Sequence, residues 1–190
     1  MRPIIRCAWV GENNELMQKY HDQEWGVPLR DDKKIFEFLV LESFQAGLSW
    51  NIVLRKRKNF EKAFCNFNPQ KVARFSKEDI LKLLKNEGII RNKAKIIAAI
   101  NNAQKFLAVQ KEFSTFSKYM WQFVNNKQLV NKIKTIKDYP TVSREAEAFS
   151  KDLKKRGFKF LGPTTIYAHM QAVGMVNDHM NNCFRKKATI

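Results

Sequence analysis

The sequence predicts an all-α fold, built as a single unit over residues 1–190. Three observations carry this. No run of strand length alternates apolar and polar residues. Apolar residues recur instead at three- and four-residue spacing along most of the chain. Ser, Asn and Asp stand ahead of several of these runs, where helix caps belong. Together they predict about eight to ten helices. No repeat, low-complexity segment or long linker divides the chain, and 190 residues suffice for one core.

The elements follow in order. After an irregular lead holding Cys7 and Trp9, Glu15–Glu24 reads as a helix with Leu16, Met17 and Tyr20 at helical spacing, closed by Gly26-Val27-Pro28. Asp31 or Asp32 can cap the next helix, whose run from Ile35 to Leu41 is apolar on every side of the wheel and should be buried all round. Ser49 can cap a helix to about Phe64 with a basic face. Asn68-Pro69 starts a short one, and Ser76–Asp79 is a capping-box start for the next. Gly88–Asn92 is a turn. Lys93 to about Gln110 is a long helix with Ile96, Ile97, Ile100, Ala103 and Leu107 inward. Phe113–Val124 is short helix, Lys127–Pro140 a weak Lys-rich segment, and Ser143 caps a helix to Lys155. Gly157–Pro163 is a hairpin, Thr164–Val173 a helix, and Asn177–Cys183 a last helical turn or two.

Charge narrows the function. Lys and Arg number 35 against 18 acids, a formal charge of +17, which favours a polyanionic partner such as nucleic acid. No apolar run is long enough to span a bilayer, and Met1–Arg6 lacks the apolar stretch of a signal peptide. Three widely spaced Cys argue against a disulfide framework and for a reducing, cytoplasmic setting.

Glu42 is the anomaly. It sits within the apolar run, and a buried carboxylate costs several kcal/mol unless something compensates it. Such a Glu ordinarily meets an Arg or Lys, or reaches solvent. The other reading is a charge held for a cation that arrives later. Gln45 shares its helical face, and Gly47 permits a turn before Leu48 and Trp50.

Two further patterns stand out. His179-x3-Cys183 would place two ligands one helical turn apart, and Cys7 and His21 form a second pair near the other end. The four make a Cys2His2 set suited to a structural zinc, which would bring the two ends together; equally, they can be ordinary buried residues. Cys65 and His169 fit no set. Leu153–Thr165 reads as helix, Gly-bounded hairpin, helix, surrounded by Lys154, Lys155, Arg156 and Lys159. Glycine backbone and a helix N-terminus suit phosphate; equally, the segment can be an ordinary tight helix–helix turn with solvated lysines.

Six segments in order then resemble the DNA-3-methyladenine glycosylase I family of the helix-hairpin-helix glycosylase superfamily. They are Arg6–Val10 (RCAWV), Tyr20–Pro28 (YHDQEWGVP), Gln45–Trp50 (QAGLSW), Gly88–Arg91 (GIIR), Lys154–Phe160 (KKRGFKF) and Val176–His179 (VNDH). The resemblance implies an all-α helix-hairpin-helix glycosylase fold with one structural zinc on Cys7, His21, His179 and Cys183. It implies a monofunctional hydrolase, acting as a monomer in the bacterial cytoplasm, that flips 3-methyladenine out of alkylated duplex DNA and cleaves its glycosidic bond. Glu42 falls on the carboxylate that contacts the base, and Trp9, Tyr20 and Trp50 on its aromatic pocket. Leu48, beside Gly47, falls where a side chain fills the opened duplex. Lys155, Arg156, Gly157, Lys159, Gly162 and Thr164 fall on the DNA-gripping hairpin. One position departs from the family: Met17 stands where the family has a second pocket Tyr. Asn177 stands where many superfamily relatives carry a catalytic Asp, which the family resembled here lacks too. Which of Glu42 and Asp178 would activate the water stays open. A binding protein without catalysis would keep the charge and the zinc but has no need of Glu42 and its aromatic set.

Overall fold

The computed structural model describes residues 4–187. The helix α2 (Asp32–Gln45) is the axis of the molecule. Its apolar residues leave no face fit for water, and Ile35, Phe36, Phe38, Leu39, Val40, Leu41 and Phe44 are each at most 2% exposed. Around it pack α3 (Trp50–Ala63), α6 (Lys93–Phe113), α7 (Phe116–Trp121) and α9 (Pro163–Ala172). Phe36 meets Phe106 of α6 edge-on at 5.2 Å between ring centres, and Phe44 meets Phe60 of α3 at 4.8 Å. Burying each such side chain contributes about 1.5–3 kcal/mol. α1 (Glu15–Gln23) lies on α3, α4 (Pro69–Val72) and α5 (Lys77–Lys85) lie on α6, and α8 (Arg144–Lys155) pairs with α9.

Helix starts follow the cap chemistry. The side chains of Asn14, Asp31, Asn68, Ser76, Asn92, Thr115 and Ser143 each accept from the backbone N–H three residues on. Ser76 and Asp79 complete a capping box. Ser49 precedes α3 without a side-chain cap bond. Asp32 serves a distant helix instead of its own. Its carboxylate accepts from the N–H of Phe116 and of Ser117, each at 2.8 Å, and so caps α7 across the core.

The fold is mostly helical, with three departures from expectation. Leu129–Val130 (β1) and Val176–Asn177 (β2) pair in parallel, Leu129 opposite Val176, with a further bridge between Ile133 and Met180. Two-residue strands are too short for alternation to show. On α6 the inward stripe is Ile96, Ala99, Ile100, Ala103, Phe106 and Val109; Ile97 lies at its edge, 45% exposed, and Leu107 is half-buried. Residues 177–183 are not helical: Cys183 N–H donates to Met180 O in a turn, and a short 3-10 turn follows over Phe184–Lys187. The Gly157–Pro163 hairpin lies between α8 and α9 as expected, formed by a turn at Arg156–Gly157 and a bend at Phe160. Among the described residues no helix is long and apolar enough to cross a membrane.

Candidate functional site

A cavity of about 280 Å³ opens beside Glu42, near the end of α2. Trp9, Tyr20, Glu42 and Trp50, the four predicted pocket residues, all line it, with Met17 and Gln45. Trp25, Tyr139, Pro140, Ala168 and Gln171 complete the wall. Tyr139 and Pro140 come from the Lys-rich segment, which has no periodicity to reveal them; Ala168 and Gln171 sit one turn apart on α9. Tyr20 and Trp50 are tilted at 5.3 Å, and Trp9 meets Trp25 edge-on at 4.9 Å. The Trp9 and Trp50 indole N–H groups are buried without a hydrogen-bond partner. Such orphans are uncommon in a settled core and common where a ligand completes the bonding.

Glu42 is 4% exposed, and no hydrogen bond or ion pair reaches its carboxylate among the described residues. Burial lifts its pKa from 4.5 to about 8. Burial, then the neighbouring Glu42, also pushes the Tyr20 phenol well up, so it stays protonated. Asp178 behaves differently. It is fully buried, and its oxygens accept from Asn131 Nδ2 (2.7 Å), Tyr167 OH (2.8 Å) and Gln171 Nε2 (2.7 Å). Asn177, beside it, uses its side-chain oxygen to accept from His179 N–H at 3.1 Å and so helps to orient the next residue.

Behind the pocket lies a second constellation. One ligand atom each of Cys7, His21, His179 and Cys183 falls within 4.8 Å of the others, all four residues buried, so the set can hold a metal ion. Cys183 Sγ is 3.4 Å from His21 Nε2 and 3.6 Å from His179 Nδ1; the two nitrogens are 3.2 Å apart. The far side of each ring is held. His21 Nδ1 is 2.7 Å from Asp22, which Arg6 grips bidentately, and His179 Nε2 is 3.0 Å from Trp25 O. A ring nitrogen that donates outward leaves its partner nitrogen's lone pair facing the centre, the arrangement metal-binding imidazoles use. Pocket and cluster share walls, for Trp9 packs on His21 at 5.4 Å and Trp25 on His179 at 4.7 Å. The helical turn expected between His179 and Cys183 is absent, yet the non-helical turn brings both ligands in.

The predicted nucleic-acid contacts lie on two exposed turns. Gly47, at φ +84°, and Leu48, 37% exposed, follow α2. On the other turn Lys154, Lys155, Lys159, Gly162 and Thr164 face solvent. Its backbone is pinned from behind: Asn102 donates to Lys159 O and accepts from Lys159 N–H, Asn101 donates to Gly157 O, and Ser150 donates to Leu161 O. Gly157 takes φ +87°, where glycine is favoured. Arg156 departs from expectation. Its guanidinium pairs with Glu112 and Asp152 at 2.6 Å each and lies over the Tyr119 ring, so it braces the turn from inside. α9 starts at this turn and carries Ala168 and Gln171 to the pocket.

Comparison with known proteins agrees with this geometry. A family model described as methyladenine glycosylase matches residues 9–186. DNA-3-methyladenine glycosylase of Haemophilus influenzae is 47% identical over 178 residues, covering 94% of this chain and 96% of that protein. DNA-3-methyladenine glycosylase 1 of Escherichia coli K12 is also 47% identical, covering 94% and 95%. A crystal structure of 3-methyladenine DNA glycosylase I superposes with a TM-score of 0.92 at 44% identity, over 95% of this chain and 98% of that one. A variant of such an enzyme in complex with 3-methyladenine superposes equally well, TM-score 0.92 at 39% identity, over 95% and 97%. On sequence and fold alike, the chain belongs to the methyladenine glycosylase family.

Proposed function

We propose that this protein is a DNA-3-methyladenine glycosylase: a monofunctional hydrolase that extrudes 3-methyladenine from alkylated duplex DNA and cleaves its glycosidic bond. The observation that carries this reading is Glu42, a buried carboxylate without a partner at the wall of an aromatic cavity. Methylation at N3 leaves the base positively charged. Among Trp9, Tyr20 and Trp50 such a ring gains about 0.5–2 kcal/mol of cation–π attraction per favourable face. Glu42 accepts from the exocyclic amine and balances the charge, drawing its own pKa back down. A neutral adenine leaves that carboxylate buried and unbalanced, so selectivity comes partly from a penalty on the wrong base. Met17, in place of a second Tyr, still packs against a ring edge.

In the cleavage step the oxygen of water bonds to the anomeric carbon as the carbon–nitrogen bond breaks. The bonding pair leaves with the base and discharges its positive charge. Water loses a proton to the surrounding solvent, since Glu42 holds the exocyclic amine of the departing base and the Asp178 oxygens already take three hydrogen bonds.

Extrusion costs a few kcal/mol of stacking, less for a damaged base. Leu48, presented beside Gly47, fills the vacancy. The Gly157–Thr164 turn grips the backbone, with Lys154, Lys155 and Lys159 supplying the charge and the α9 N-terminus its dipole. Arg156 supports the turn without reaching phosphate.

Zinc suits the Cys2His2 cluster. Zn–S bonds of about 2.3 Å and Zn–N bonds of about 2.0–2.1 Å at tetrahedral angles need ligand separations of about 3.3–3.8 Å. The separations of 3.2, 3.4 and 3.6 Å are close to that. With four protein ligands no position is left for substrate, so the metal is structural. The deciding experiment measures free base released from methylated DNA. If no 3-methyladenine appears at excess enzyme, the reading fails.

A further inference from the structure

Lys95 is a charge in an unfavourable place twice over. It is only 7% exposed. It also stands in the first turn of α6, where the helix dipole disfavours a cation and no acid accompanies it. No carboxylate pairs with it among the described residues. Its ammonium donates instead to Phe44 O at 2.9 Å and to Ala46 O at 2.7 Å. Burial without a counter-ion lowers its pKa.

Those two carbonyls belong to the C-terminus of α2, where helical partners run out and a cation is favoured. α2 lacks a glycine cap there: its cap residue is Ala46, which leaves the helical region at ψ 117°. Immediately beyond, the chain reverses through Gly47. Leu48 N–H donates to Gln45 O at 2.7 Å, and Gln45 Nε2 donates to Leu48 O at 3.0 Å. Glu42 lies one turn upstream on the same helix. One amine from a distant helix thus ties down the junction between the helix that holds the carboxylate and the turn that presents the leucine.

We propose that Lys95 is a positioning residue that fixes the Ala46–Ser49 turn to α2, so that Leu48 enters the duplex in register with Glu42. It acts on nucleotide extrusion and not on bond cleavage. This rests on the glycosylase reading above.

The test replaces Lys95 by Met, which keeps the apolar stem and removes the ammonium. Three quantities are measured for the parent and for Lys95→Met: single-turnover release of 3-methyladenine from duplex, release from the same strand alone, and binding of free 3-methyladenine. Release from duplex should fall roughly tenfold or more, while the other two stay within about twofold. Unchanged duplex release overturns the proposal. So does a parallel loss in all three, which marks a residue that only supports the fold. Leu48→Ala should show the same duplex-only loss, and adding Lys95→Met to it should cost little more; additive losses separate the two residues and overturn the coupling. If the Met variant does not fold, Lys95→Gln carries the same cycle. A parent enzyme that releases no base from either substrate sinks the glycosylase reading first and this proposal with it.

Discussion

Glu37 and Glu42 are buried to nearly the same depth on one helix, and only Glu37 is paired. Arg57 Nε reaches Glu37 at 2.6 Å, and Lys34 joins at 2.8 Å. The other edge of the Arg57 guanidinium takes Glu24 bidentately at 2.7 and 2.8 Å. The cation that a buried glutamate demands is therefore spent on the first carboxylate, and the second faces the pocket without one. Arg57→Met should cost about 3 kcal/mol, the low end for breaking a buried ion pair, because Lys34 stays. Urea midpoints measure it; a loss near zero would show that Glu37 does not depend on Arg57.

Glu42 should make the fold pH-sensitive in an unusual direction. Burial raises its pKa from 4.5 to about 8. Between those values the unfolded chain has released this proton and the folded chain keeps it, so stability falls as pH rises. Glu42→Gln removes that slope. Parent and variant should be alike below 4.5 and diverge to a few kcal/mol above 8 in favour of the variant, at about 1.4 kcal/mol per pKa unit. Thermal or urea unfolding across that range tests it, and a constant difference at all pH values would refute it.

The same proton should shape activity. A cationic base is met by the ionised carboxylate, so kcat/KM for 3-methyladenine release should climb with pH and level off above about 8. Glu42→Gln should keep its affinity for undamaged DNA, lose most excision and show no such rise. A variant as active as the parent would remove Glu42 from the site.

Metal analysis should return about one zinc per chain. Cys183→Ser should lower the zinc content and drop the thermal midpoint by at least about 5 °C. Excision per folded molecule should change much less than stability does. Abolished excision in a variant that stays folded would instead place the metal in the chemistry.

Gly174→Ala should be among the most damaging substitutions outside the pocket. Gly174 takes φ +69°, and an added Cβ would lie 2.2 Å from the Val27 carbonyl carbon and 2.3 Å from its oxygen. Backbone cannot yield as a side-chain tip can. A loss of more than about 2 kcal/mol is expected by chemical denaturation, from positive-φ strain and overpacking together. An unchanged midpoint would contradict this close approach.

The helices were legible because their signals are local. The runs in α2 and α6 and the caps at Asp31, Ser76 and Ser143 declare themselves within a few residues. The parallel pairing of Leu129 with Val176 escaped because two residues carry no period. Tyr139 escaped because only the fold carries the loop before α8 to the pocket. For Glu42 the sequence shows a carboxylate in an apolar helix, but not that Glu37 takes the available arginine. For Arg156 the reverse holds: a basic cluster is plain in the sequence, but the acids that occupy one member, Glu112 and Asp152, are revealed by packing. The four Cys and His residues were legible as residue types, though their joining turn is not the helix their spacing suggested.

Cys7 and Cys183 both stand within 3.6 Å of His179 Nδ1, and Phe184 N–H donates to Ile5 O at 2.9 Å. The chain therefore closes on itself like a belt at its buckle. A belt can be stitched at the buckle and cut elsewhere. A circular permutant that joins the two ends and opens beside the exposed Glu87 would keep every wall of the pocket on one continuous piece of chain.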